Sequence, residues 1–185
     1  MNKIIKLFFL SLIFISCSVH KEYYFNGNLK EKGNISDNRK SGKWKTYYES
    51  GELKGVGNFH KGEENGEWKY YYKNGQIRQI GKFKDGKQDG KWIFFHPNGN
   101  RQGIGVLVKG KRIGKWQWYH ENGNPFTERL WENGSLKEII FSYDGSGNEL
   151  DKGTLKNGNG SMKLYDIDGK LLDVINYRNG HIVKK

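Results

Sequence analysis

Hydrophobic and polar positions alternate in short runs along most of the chain, and glycine-containing turns separate the runs. One aromatic run at Trp68–Tyr72 ends at Asn74-Gly75, and the following run ends at Asp85-Gly86. Aromatic and β-branched residues favour a pleated, half-buried surface, and Asn-Gly supplies the two positive-φ residues of a type I′ hairpin turn. No sustained i, i+3, i+4 apolar spacing of a helix follows the first 16 residues. The pattern therefore predicts an all-β chain built of strand, turn, strand, turn units.

This pattern repeats every 24 residues without slip, beginning with Gly42-Lys43-Trp44. Counting outward from the four regular copies gives about seven units over residues 20–185, beginning near residues 18, 42, 66, 90, 114, 138 and 160. The repeated positions include an aromatic ladder of Trp44, Trp68, Trp92, Trp116, Tyr47, Tyr71, Phe95, Tyr119, Phe59 and Phe83. They also include the turn glycines Gly51, Gly75, Gly99 and Gly123. Because a lone hairpin is marginal in water, each unit must bury its rings against its neighbours.

The repeated motif Gly-x-Trp-x-x-Tyr/Phe-Tyr-x-x-Asn-Gly, followed by Gly-x-Phe-x-x-Gly, resembles the MORN repeat in its bacterial variant. The resemblance covers about residues 20–183. It implies stacked β-hairpin repeats that form an elongated, single-layer antiparallel sheet. Many bacterial members of that family are labelled antitoxins, and eukaryotic relatives are scaffolds or are linked to phosphoinositide membranes. The family repeat supplies no catalytic residues.

The N-terminus carries the pattern of an export signal. Lys3 and Lys6 precede an apolar run, Leu7–Ile15, that falls short of the ~20 residues needed to span a bilayer but suits a signal peptide. The lone cysteine, Cys17, follows this run, and the arrangement resembles the lipobox of bacterial lipoproteins, whose cysteine becomes diacylated. We expect residues 1–16 to be a signal peptide and residues 17–19 a lipidated tether. The alternative is a signal peptide without lipidation and a coincidental cysteine.

This prediction places the protein in the bacterial cell envelope and tethers it to a membrane through its lipid anchor. Ser18 follows the cysteine where an inner-membrane retention signal would have Asp, so the outer membrane is favoured over the inner. Nucleic acid is excluded as a partner because the signal directs the chain out of the cytoplasm.

Composition and charge narrow the classes of partner. The 185 residues include 32 Lys+Arg, 20 Asp+Glu and one Cys, which excludes a disulfide framework. The basic excess lies within residues 39–115, where it favours an anionic surface such as anionic lipid. The alternative is that lysines beside exposed strands prevent edge pairing. The candidate basic face consists of Lys82, Lys84, Lys87, Lys109, Lys111 and Arg112.

Candidate chemistry beyond binding is sparse. His96 and His120 lie 24 residues apart but have no fixed third ligand, so we predict a polar surface position, no metal and no cofactor. No nucleophile elbow or phosphate loop is present in the sequence, so we expect no enzyme activity. Tyr48, Tyr72 and Trp118 offer a stacking platform for a sugar chain, unless they complete the core of the sheet.

The sequence therefore predicts a lipid-anchored envelope protein that acts as a non-catalytic binding or scaffolding module, with a protein as its expected partner. Two alternatives stay open. One is an antitoxin or immunity protein that neutralises a partner protein by direct contact. The other is a module that binds glycan or anionic lipid; high salt would abolish charge-driven binding and leave ring stacking intact.

Overall fold

The computed structural model describes residues 19–183, which contain strands and turns and no helix. Within this range no helix is long and apolar enough to cross a membrane. Cys17, the predicted signal peptide and most of the predicted tether lie outside the described residues. The strands are β1 Val19–Tyr23, β2 Leu29–Ser36, β3 Arg39–Tyr47, β4 Leu53–His60, β5 Glu63–Tyr71, β6 Ile77–Lys84, β7 Lys87–Gln88, β8 Gly90–Phe95, β9 Arg101–Val108, β10 Lys111–Tyr119, β11 Pro125–Glu132, β12 Ser135–Ser142, β13 Gly160–Tyr165, β14 Leu171–Arg178 and β15 His181–Ile182.

Strands β1 to β12 form one open antiparallel sheet in chain order, with the short β7 pairing with β6 beside the main path. Apart from β7, each strand pairs with its neighbours along the chain, and β8 pairs with β6, as stacked hairpins require. This arrangement confirms the predicted all-β fold with a long antiparallel sheet of hairpin repeats.

The regular sheet ends after β12, and β13 to β15 form a separate three-stranded sheet. Turn contacts still join the two sheets: the Leu136 N–H donates to the Gly180 carbonyl at 3.2 Å, and the Gly158 N–H donates to the Lys137 carbonyl at 2.9 Å. An aliphatic cluster replaces the tryptophans here and consists of Leu136, Ile139, Leu155 and Met162. The final units thus stay attached to the stack although strand pairing is interrupted.

The core of the regular sheet is a tryptophan packed on a glycine of the preceding strand. A Cβ atom added to Gly57 would lie 2.1 Å from a ring carbon of Trp68, so only glycine lets the indole reach the backbone. The indole N–H of Trp68 donates to the carbonyl of Asn58 at 3.1 Å. The same arrangement joins Gly33 to Trp44, Gly81 to Trp92 and Gly105 to Trp116. These four tryptophans are at most 2% exposed.

Phenylalanines fill the spaces between successive tryptophans. The Phe59 ring meets Trp44 at 5.7 Å and Trp68 at 5.3 Å, and Phe83 meets Trp68 at 6.1 Å and Trp92 at 5.2 Å, all edge to face. This geometry is the one that aromatic pairs prefer. A continuous column of rings therefore runs across the sheet at right angles to the strands.

Two kinds of turn alternate along the chain. The turn at Asp85-Gly86 has positive φ at both residues, 49° and 69°, and is a type I′ turn. The same two-residue turn recurs at Asp37-Asn38, Lys61-Gly62, Lys109-Gly110 and Asn133-Gly134. The edge of the sheet that carries these turns is called the tight-turn edge below.

The type I′ prediction for the Asn-Gly turns is wrong. Gly75 has φ 82° but Asn74 does not have positive φ; the turn is a three-residue loop in which the Tyr72 N–H donates to the Gln76 carbonyl at 2.8 Å. The Asn74 side chain explains the difference, because its Oδ1 accepts from the Gln76 N–H at 3.1 Å and its Nδ2 donates to Pro97 of the next hairpin at 2.9 Å. The edge that carries these loops is called the loop edge.

We expect Gly57→Ala to lower the midpoint of urea unfolding sharply, because its methyl group overlaps the Trp68 ring. Overpacking of this kind costs about 1–3 kcal/mol. Gly55→Ala is a matched control in the same strand, since its Cβ would meet neighbours only at 3.0 Å or more. Equal midpoints for the two variants would contradict the requirement for glycine beneath the Trp68 ring.

Candidate functional site

The two faces of the sheet differ in chemistry. The aromatic face carries the Trp–Phe column, and paired residues add a second row that includes Tyr70, Phe94 and Trp118. The opposite side is called the open face and is identified by Ile80, Ile93 and Ile104, which lie directly opposite one another on β6, β8 and β9.

The open face presents one continuous row of side chains from β1 to β12. Its central isoleucines are only partly buried, and the nearby Val106 is 39% exposed. Basic residues dominate the start of the row, and Gln117, Glu128 and Phe141 follow the isoleucines. In spatial order the row is Lys21, Lys32, Lys45, Val56, Lys69, Ile80, Ile93, Ile104, Gln117, Glu128 and Phe141.

The residues of the candidate basic face do not lie on one surface of the sheet. Lys82 pairs with Glu67 on the open face. Lys84 lies opposite Lys87, and Lys111 lies opposite Val108. These three positions, together with Lys109 in its turn, follow the tight-turn edge.

Arg112, which the sequence grouped with these lysines, lies instead on the aromatic face. Its guanidinium carbon is 5.1 Å from the Trp116 ring centre and 4.9 Å from that of Trp131. Burial between these rings lowers the pKa of Arg112. Alternation along the strand explains the difference: Arg112 pairs with the buried Leu107, whereas the adjacent Lys111 pairs with Val108 and projects to the other face.

The loop edge contains the two histidines, and the predicted surface position for them is wrong. His96 and His120 are only 8% and 7% exposed. Their Nε2 atoms lie 3.0 Å from the Tyr119 carbonyl and 2.9 Å from the Tyr143 carbonyl, and since a carbonyl can only accept, Nε2 carries the proton. Each histidine thus fastens its loop to the next hairpin.

Tyrosines make the same contact earlier in the array. The Tyr48 hydroxyl donates to the Tyr71 carbonyl and the Tyr72 hydroxyl to the Phe95 carbonyl, both at 2.7 Å. Tyr48 and Tyr72 are therefore part of the loop edge and do not form a separate platform. The carbonyls of the predicted ladder residues Tyr47, Tyr71, Phe95 and Tyr119 all accept bonds of this type.

A cavity of about 480 Å³ opens beside the loop edge near the end of the regular sheet. This volume lies within the ~300–1,000 Å³ of small-molecule pockets. The cavity forms where the glycine ladder Gly33, Gly57, Gly81 and Gly105 would continue but Arg129 stands instead. Its lining includes His96, Gln102, Trp118, His120, Phe126 and Arg129.

Buried hydrogen-bond donors without acceptors concentrate around this break in the repeat. Among the described residues, four buried side-chain atoms lack partners, and three of them are Trp118 Nε1, Arg129 Nε and Trp131 Nε1. All three belong to β10 or β11, and all are donors. By contrast, Trp44, Trp68, Trp92 and Trp116 each donate to a backbone carbonyl. Since buried polar groups are nearly always hydrogen-bonded, these three donors are a departure from the rest of the sheet.

Arg112 and Arg129 form no ion pair with a carboxylate of residues 19–183. No ion pair of residues 19–183 includes an arginine; each pair is formed by a lysine or histidine. Burial lowers the pKa of Arg129; the nearby Tyr177 hydroxyl opposes this effect, and the neighbouring Arg112 adds to it. An arginine nevertheless stays charged in proteins, so this part of the aromatic face is positive and poor in acceptors.

A group with metal-ligand chemistry lies at the other end of the sheet. Ligand atoms of His20, Glu22 and Glu31 lie within 4.8 Å of one another. Both carboxylates are already paired, Glu22 with Lys30 at 2.6 Å and Glu31 with Lys40 at 2.7 Å. The lysines neutralise the charge that a metal ion would need.

Comparison with known proteins identifies the repeats. A family model described as "MORN repeat variant" matches residues 18–37, 40–61, 64–85, 88–106 and 112–133, more than half of the chain. The protein belongs to the MORN repeat variant family. Its matched repeats end at residue 133, and Trp118 and Arg129, which line the cavity, lie in the last of them.

No curated protein matches the chain in sequence. Among solved structures, it is similar to "Crystal Structure of TcdB2-TccC3-Cdc42" with 12% identity and a TM-score of 0.26. The match covers 83% of this chain and 9% of that chain. A TM-score of this size is too low to indicate a shared fold.

Arg129, Gln102 and Phe126 were not among the residues selected from the sequence. The glycine ladder held the signal for Arg129, because a glycine recurs at each preceding position of the same 24-residue period. Gln102 and Phe126 carry no comparable signal, since both lie at variable positions.

Glu128 offers a test of the charge arrangement where the open face turns acidic. Its side chain is 7% exposed and lies 3.0 Å from Lys115 Nζ and 2.8 Å from Gln117 Nε2. Burial alone would raise the pKa of Glu128, but hydrogen bonds from Gln117 and Lys115 outweigh it and the pKa is lowered.

We expect Glu128→Gln to lower the free energy of unfolding by roughly 1–2 kcal/mol at pH 7. Because the folded pKa is depressed, the stabilisation is present above the unfolded carboxyl pKa of ~4.3 and is lost as pH falls through the lower folded value. Wild type and variant should therefore converge in acid unfolding curves. Glu67→Gln is the control, since its pair with Lys69 is exposed and contributes little. A pH-independent difference for Glu128→Gln would exclude the ionic explanation.

Proposed function

We propose that this MORN repeat protein is a bacterial envelope lipoprotein anchored through Cys17 and that it acts as a non-catalytic binding module for a protein partner. MORN repeats themselves suggest binding or scaffolding. The observation that carries the proposal is the open face, where a row of partly exposed aliphatic side chains is bordered by lysines.

The chemistry of the open face favours a protein partner. Ile80, Ile93 and Ile104 form an apolar strip across three neighbouring strands. Lys69 borders this strip within the row, and Lys82 lies on the adjoining row. An apolar strip rimmed by cations is complementary to a protein surface whose apolar centre is rimmed by carboxylates.

The position of the strip relative to the proposed anchor supports the same interpretation. Cys17 lies two residues before the start of β1 at Val19, so a lipid there would hold β1 within about 7 Å of the anchored atom. Strands are spaced about 4.8 Å apart, which places the isoleucines of β6, β8 and β9 roughly 24–34 Å along the sheet from β1. A sheet that stands on its β1 end would thus present the strip away from the bilayer.

The anchor is tested by membrane fractionation with radiolabelled palmitate. We expect wild type to be labelled and membrane-bound and Cys17→Ala to lose both properties, because the thiol is the only acylation site that the motif supplies. Full-length wild type that is unlabelled and soluble would refute the anchor and favour the antitoxin interpretation, in which the sheet neutralises a cytoplasmic partner.

The contact surface is tested by placing a photo-crosslinking amino acid at Ile80 or at Gln79. These neighbours project to opposite faces, since Ile80 pairs with Ile93 and Gln79 pairs with Phe94. We expect a discrete crosslinked protein from position 80 and little or none from position 79. Crosslinks only from position 79 would assign the partner to the aromatic face and contradict the open-face proposal.

A further inference from the structure

The cavity beside Arg129 is a second site with a different chemistry from the open face. The indole of Trp118 lies on Gly103, where an added Cβ would be 2.4 Å from the ring. It is also stacked beside Trp116 at 5.9 Å and lies 6.0 Å from Phe94. Packing therefore fixes the Trp118 ring, yet its N–H lacks an acceptor.

We infer that this cavity binds the carboxylate and ring of an acidic sugar residue of the uronic acid type. The site is independent of the open face and of the anchor proposed above. Arg129 supplies the charge for the carboxylate, and Trp118 supplies the aromatic surface for the sugar ring.

The carboxylate follows from the unpaired charge of Arg129. Arg129 and Trp118 line the cavity, and no ion pair among residues 19–183 includes Arg129. A ligand that brings a carboxylate would supply the missing counter-charge. A carboxylate suits arginine best because its two oxygens match the guanidinium fork.

The other residues that line the cavity favour a sugar ring as the rest of the ligand. Trp118 and Phe126 provide apolar surfaces, and Phe126 is itself held by His120, with 4.7 Å between ring centres. Gln102 and Glu121 also line the cavity and provide polar atoms for ring hydroxyls. A pyranose has apolar C–H faces and a polar edge, which matches this combination of aromatic walls and amide or carboxylate groups.

The charge balance favours one carboxylate over a phosphate. Glu121 lines the same cavity, and its side chain is 71% exposed, so it adds a negative charge at the solvent side. A dianionic phosphate would be repelled more strongly than a singly charged carboxylate. The recognised group is therefore a monoanion attached to a ring.

The test uses the full chain purified in detergent, with D-glucuronate, D-glucose and inorganic phosphate as probes. Calorimetry and tryptophan fluorescence report binding, since Trp118 would contact the ligand. We expect glucuronate to bind at least tenfold more tightly than glucose or phosphate. Equal affinity for glucose would show that charge is not recognised, and tighter binding of phosphate would replace the sugar by a simple anion; either result overturns the inference, as does no binding of glucuronate.

Substitutions of Arg129 test whether glucuronate binds in this cavity. We expect Arg129→Gln to weaken glucuronate binding at least tenfold and Arg129→Lys to weaken it less, because lysine keeps the charge but loses the fork. Arg78→Gln is a matched control, since Arg78 also has a buried unpartnered Nε but lies 5.9 Å from Tyr70, outside the cavity lining. Unchanged binding in Arg129→Gln, or an equal loss in Arg78→Gln, would contradict the assignment.

Two further measurements separate this inference from the other proposals. Trp118→Phe keeps an aromatic ring but reduces the aromatic surface that lines the cavity, so we expect weaker glucuronate binding with unchanged far-ultraviolet circular dichroism. Arg129→Gln should leave crosslinking from position 80 and palmitate labelling intact. In the wild-type protein, glucuronate binding without crosslinking from position 80 would refute the open-face proposal alone, and crosslinking without glucuronate binding would refute the cavity alone.

Discussion

The contact of each tryptophan with a glycine of the neighbouring strand is the interaction on which the sheet depends. A single layer has no second sheet to bury its strands, so the cover must come from side chains lying flat on the backbone. An aromatic side chain buries about 150–250 Å², which corresponds to roughly 4–6 kcal/mol per ring as an upper estimate. Only glycine lets the ring of Trp68 approach Gly57 so closely, and the indole N–H then satisfies a carbonyl that the local bulge leaves free.

Contacts between turns fix the spacing of the units at both edges of the sheet. At the loop edge, tyrosine or histidine side chains bond to the next hairpin, as Tyr72 does to Phe95. At the tight-turn edge, a glycine N–H bonds back to the preceding hairpin, as Gly86 does to Glu64 at 3.0 Å. An inserted residue would break the contacts at both edges and the packing of each tryptophan on its glycine. This explains why the 24-residue period does not vary.

Local patterns in the sequence were sufficient to predict the strands, the 24-residue period and the antiparallel order of the strands, because these depend on features that recur within each unit. They were insufficient where the decisive contact comes from the next unit. Asn74 prefers a type I′ turn as part of a dipeptide, but its side chain bonds to Pro97, one hairpin away. His96 resembles a surface residue until the Tyr119 carbonyl is placed beside it. Arg112 lies on the opposite face from Lys111 because the two residues are adjacent in one strand, which a grouping by charge alone overlooks.

A stack of identical units would offer the same surface everywhere, so selective recognition must come from positions where the units differ. The contacts between tryptophan and glycine are nearly identical in successive units and stabilise the sheet. The open-face position changes from Lys45 and Lys69 to Ile93 and Gln117 at the same point of successive units, which confines the aliphatic strip to the middle of the sheet. The glycine seat changes to arginine only at position 129, which leaves donors without acceptors at one place on the aromatic face. The regular contacts thus hold the sheet rigid, and the two departures from regularity determine where it can bind.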